Sequence, residues 1–132
     1  MKKTLIAALA AALSAAALAG TALQDLSTVP AEAFYPANAT FVEGEDDGTG
    51  GIDFKVASDA SVADLAKEIQ AKAAEMGWTE KEADIQEEDA KLEYAKMNAE
   101  GDAPEYTVDY TIVTEDGKRH VEVIFLDARE KK

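Results

Sequence analysis

The segment Glu105–Ala128, EYTVDYTIVTEDGKRHVEVIFLDA, decides the architecture. Apolar residues alternate on both sides of Asp116-Gly117, a dipeptide suited to a two-residue type I′ turn, whose central positions both need a positive φ. Folding the chain about that turn sets Ile112 against Val121, Tyr110 against Val123 and Val108 against Phe125. The reverse side pairs Val113 with His120, Thr111 with Glu122 and Asp109 with Ile124. One face is wholly apolar and the other mixed, which predicts an antiparallel sheet covered on one side only. Glu115 and Lys118 flank the turn with opposite charges, a small further preference for this register.

Something must cover the apolar face, and the chain supplies it upstream. In SDASVADLAKEIQAKAAEMGW, residues 58–78, Val62, Leu65, Ala66, Ile69, Ala73 and Met76 recur at helical spacing and form one stripe. Ser61 is a suitable N-cap, with Asp64 favourably placed near the positive helix terminus. Gly77 can take the left-handed conformation that ends a helix. Trp78, the only tryptophan, is expected to fold over that end as core.

Before the helix, Ile52, Phe54 and Val56 alternate with Asp53, Lys55 and Ala57 as a half-buried strand does. With 39–43 as its partner, Phe41 is expected opposite Phe54 and Ala39 opposite Val56. Between helix and C-terminal hairpin, Thr79 and Glu82 allow a capping box, but the apolar residues that follow make no helical stripe. Thr79 to about Glu88 therefore reads as an acidic loop. Ala90, Leu92 and Tyr94 then alternate with Lys91, Glu93 and Ala95 in a strand reaching Met97. The predicted fold is α+β: a β-β-α-β-β-β antiparallel sheet of about five strands, with one helix on its apolar face.

The N-terminal end reads as an address. Lys2 and Lys3 precede the uncharged apolar run TLIAALAAALSAAALA, and small residues follow at Ala17-Leu18-Ala19. This predicts a bacterial secretory signal peptide over residues 1–19, with Gly20-Thr21-Ala22 as a second possible cleavage site. No Cys follows the apolar run, so the lipoprotein route is excluded. Residues 20–38, with Pro30 and Pro36, form an expected extended lead-in pinned to the domain by Phe34 and Tyr35. Residues 39–132 make one α+β domain. The full chain carries a net charge of −14, and losing Lys2 and Lys3 makes it −16. Such a chain is repelled by phosphate backbones and anionic lipid, which argues against nucleic-acid and membrane partners. With no cysteine there is no disulfide, thiol nucleophile or thiolate-bound zinc.

The layout resembles that of small exported bacterial proteins of unknown function. The matching residues are Tyr35-Pro36, the alternating Ile52–Val56, the helix start from Asp59 to Leu65, and Gly77-Trp78. The second half is also similar to a PepSY-type domain, in which a helix precedes strands ending in an apolar-Asp-Ala segment, here Val123–Ala128. That resemblance implies contact with exported peptidases, including their inhibition. The chain departs from it in having Arg129-Glu130 where Thr-Gly commonly follows, and in its additional N-terminal hairpin.

Few residues suggest chemistry. His120 is the single histidine, on a predicted strand face beside Glu122, and no serine is placed to use it as a base. GTGG, residues 48–51, precedes a strand and so lacks the helix N-terminus that a phosphate needs. The acidic stretch FVEGEDDGTGGIDF, residues 41–54, is the candidate cation loop. An EF-hand alignment on Gly48 puts Glu43, Glu45 and Asp47 at the first ligand positions but Phe54 at the twelfth, where a bidentate Glu belongs. A calcium site of another kind, using Glu45, Asp46 and Asp47, is the sole cofactor expectation. Otherwise the stretch is a hairpin tip. The preferred reading is a non-enzymatic accessory or binding protein, periplasmic or secreted, acting on an unknown protein partner. The alternatives are a calcium-binding module and a PepSY-like peptidase inhibitor.

Overall fold

A computed structural model describes residues 21–129; the expected signal peptide, residues 1–19, lies outside them. Seven strands form one antiparallel sheet: β1 (Thr21–Ala22), β2 (Thr40–Asp46), β3 (Gly51–Ser58), β4 (Thr79–Ile85), β5 (Asp89–Met97), β6 (Pro104–Glu115) and β7 (Lys118–Asp127). Helix α1 (Val62–Glu75) connects β3 to β4. The strand order is β1-β2-β3-β7-β6-β5-β4. After β3 the chain crosses to the far edge and returns strand by strand, until β7 closes against β3.

The sheet has seven strands rather than the five expected, so the fold is dominated by sheet, with a single α-helix among the described residues. The lead-in supplies β1, which pairs Thr21 with Asp46 and Ala22 with Glu45. The stretch read as an acidic loop is β4. Its alternation is concealed by a bulge between Glu80 and Glu82. Beyond the bulge, Ala83 and Ile85 face Leu92 and Ala90, while Glu82 and Asp84 face Glu93 and Lys91. As an edge strand it stays exposed along its length, so burial left little apolar signature.

The hairpin of β6 and β7 has the register its sequence predicts, with Asp116 at φ 52° and Gly117 at φ 77° in the turn. The β2–β3 hairpin departs from expectation. Phe41 faces Val56, and Gly44 faces Phe54. Strand β2 runs on to Asp46, a bulge falls between Phe41 and Glu43, and the Asp47 amide donates to the Gly51 carbonyl at 2.9 Å. The connection is thus a tight turn, not a long acidic loop.

Helix α1 begins at Ser61, whose side chain accepts from the Asp64 amide at 3.1 Å. Gly77, at φ +80°, ends it: its own amide donates to Ala74 and the Trp78 amide to Ala73. This pair of bonds satisfies two terminal carbonyls and turns Trp78 back onto the core. Val62, Leu65, Ala66, Ile69 and Ala73 are buried over the half of the sheet formed by β4, β5 and β6. Phe34 packs edge-on against Trp78, at 5.7 Å between ring centroids, and lies 5.4 Å from Tyr110. Tyr35 meets Phe54 edge-on at 5.9 Å. The Tyr110 hydroxyl donates to the Phe34 carbonyl at 2.6 Å, and the Ala37 amide donates to Glu68 on α1, also at 2.6 Å. One face of the sheet is thereby sealed by the helix and the lead-in.

Candidate interaction face

The other face carries the side chains that alternate with the core, and no described residue packs over it. Strand register arranges these side chains into rows that run across the strands. One row reads Glu45 (β2), Asp53 (β3), Ile124 (β7), Asp109 (β6), Glu93 (β5) and Glu82 (β4). The next reads Glu43, Lys55, Glu122, Thr111, Lys91 and Asp84.

The two rows differ in how their charges are matched. In the second, Lys55 lies between Glu43 and Glu122, and Lys91 is paired with Asp84. In the first, Glu45 faces Asp53, Asp109 faces Glu93, and Glu93 faces Glu82. Like charges directly opposite one another destabilise a sheet. In the neighbouring row, Lys91 Nζ lies 3.7 Å from Glu93 and partly relieves it.

The crowding is expressed in acidity. Partial burial raises the Asp53 carboxyl above its ordinary range, and the nearby Glu122, Glu45 and Glu43 raise it further. Asp109 is raised for the same reasons, burial first and then Glu93, with Lys91 opposing. Apolar side chains stand among these acids: Ile124 is 46 % exposed, Leu126 43 % and Val113 37 %. At the β2–β3 end, Glu43, Glu45, Asp53, Lys55 and Glu122 line a shallow depression of about 260 Å³. His120 sits on this face between Ala57 and Val113, with Nδ1 3.2 Å from a Glu115 carboxylate oxygen but not in hydrogen-bonding geometry.

The three residues expected to hold calcium are not brought together. Glu45 belongs to the acidic row. Asp46 is in register with Ile52, on the opposite face, and accepts from the Gly48 amide at 2.9 Å. Asp47 accepts from the Thr49 amide and hydroxyl and from the Gly51 amide, at 2.7, 2.8 and 3.0 Å. These bonds hold its carboxyl below its ordinary range, those from Thr49 first. Asp46 and Asp47 thus serve the backbone of the turn. Among the described residues, no three acidic or histidine side chains converge as a cation site requires.

Four members of the row, Asp53, Asp109, Glu93 and Glu82, were not singled out by the sequence reading. Alternation put the first three on outward positions, but only the strand order sets them side by side. No family model, no curated protein and no solved structure matches the chain.

Proposed function

We propose that the protein is an exported, non-enzymatic binding module whose open sheet face docks a positively charged protein partner. The observation that supports this is the uncompensated acidic row. A sheet that places carboxylates directly opposite carboxylates in three of the row's five contacts, beside a row that sets two lysines among three acids, gives up stability on one band of its surface. Such local departures from folding rules are expected at functional sites. Carboxylates among exposed Ile124, Leu126 and Val113 suit a partner offering lysine or arginine around an apolar centre. The proposed compartment, periplasmic or secreted, follows from the signal-peptide reading of residues 1–19.

The test is cross-linking capture from the native envelope and medium, using three forms of the protein. These are the native chain, a double variant Glu93→Lys with Asp109→Lys, and a control, Glu75→Lys, on the exposed side of α1. The expected result is a partner of basic character captured by the native chain and the control and lost with the double variant. Equal capture by all three forms, or capture lost only in the α1 control, would refute the assignment to this face.

A further inference from the structure

The geometry of the acidic row points to the shape of what lies on it: we infer that the partner segment is a cationic amphipathic α-helix of about four turns, lying across the strands. This rests on the reading of the open face as a docking surface and specifies its occupant.

Spacing carries the argument. Adjacent strands are about 4.8 Å apart, so the six positions from Glu45 to Glu82 span roughly 24 Å. An α-helix of sixteen residues is about 24 Å long and advances about 5.4 Å per turn. A helix with one basic residue per turn therefore presents its cations at nearly the interval of the carboxylates. An extended segment presents same-side residues about every 6.6 Å and falls out of step within three strands. The row is interrupted at Ile124, near its middle, where an apolar residue belongs rather than a cation.

Two other occupants fit less well. A strand added at the free edge of β4 would need an unbroken ladder, which the bulge between Glu80 and Glu82 interrupts. A second copy of this chain would bring the same uncompensated carboxylates against its own.

The experiment uses the exported chain without its signal peptide and two synthetic sixteen-residue peptides of lysine, leucine and alanine. One is ordered to place lysines along one helical face with leucine at its centre. The other is a scramble of identical composition and charge. Binding is followed by calorimetry at physiological salt, peptide helicity by circular dichroism, and the contact surface by amide shifts in the protein. The ordered peptide is expected to gain helicity, to perturb β3, β7, β6 and β5, and to bind at least about tenfold more tightly than the scramble. Asp109→Asn with Glu93→Gln, which relieves repulsion and so preserves folding, is expected to weaken it by about tenfold or more. Equal binding of both peptides, shifts confined to the edge of β4, or no binding by either would overturn the helix. None of these outcomes alters the capture experiment, which judges the docking face itself.

Discussion

Replacing Tyr110 with Phe removes one oxygen and tests how the lead-in is fastened. The hydroxyl is buried and donates to the Phe34 carbonyl at 2.6 Å, joining segments that are 76 residues apart. Two cases bound its loss. A neutral hydrogen bond contributes about 1 kcal/mol net where water can replace the missing partner, and the loss is about 1–3 kcal/mol where the buried carbonyl is left without any donor. Phe34 is 5 % exposed and is held by Trp78, Tyr94 and Tyr110, so water has little access. The ring is retained, so no cavity forms. The expected loss is therefore about 1.5–3 kcal/mol, or roughly 6–12 °C in melting temperature for a domain of this size. Thermal denaturation measures the total. Limited proteolysis locates it, since the segment between β1 and β2 is expected to be cut faster. A melting point within about 1 °C of the native value and unchanged cleavage would show that this bond does not hold the lead-in.

Three further outcomes are expected. Asp109→Asn removes a carboxylate directly opposite Glu93 and should stabilise the protein at pH 7 by on the order of 0.5 kcal/mol, or a few degrees. Because the raised Asp109 binds its proton more tightly when folded, its favourable contribution is present below about pH 3.9 and lost as pH rises through the raised value. The gain should therefore vanish in acid, and a gain independent of pH would refute the cause. Asp47→Ala should lower the melting temperature through its three lost turn bonds, by the same amount with or without millimolar calcium. A native melting point raised by calcium, and not raised in the variant, would restore the cation loop. Finally, under the proposed export, the intact mass of the mature protein should give a chain beginning at Gly20, which retains β1. A chain beginning at Leu23 would show that β1 is discarded during processing.

Legibility followed the strength of local physics. Asp116-Gly117 prescribes one turn geometry, and the turn prescribes six pairings, so the β6–β7 register could be read directly. Ser61 and Gly77 likewise bound α1 by capping chemistry that any helix needs. The β2–β3 register was misread because the turn, at residues 47–50, lies later in the chain than a Phe41–Phe54 pairing requires: Phe54 pairs with Gly44, a three-residue shift, of which the bulge after Phe41 accounts for only one residue. Strand β4 was missed because its bulge and its exposure erased the alternation on which strand reading depends. The acidic row was half visible. Outward positions were assigned residue by residue, but their adjacency depends on β7 closing between β3 and β6, a long-range fact that no local pattern contains.

That closure also has a consequence in time. Strand β7, the last of the seven in chain order, is the one that joins β3 to β6. Until it emerges, the first hairpin and the later strands have no common seam, and their apolar faces have no complete core to enter. Pairings so distant in sequence form slowly. On the proposed export route such a delay is an advantage, because the final knot of structure is withheld until nearly all of the chain has been made.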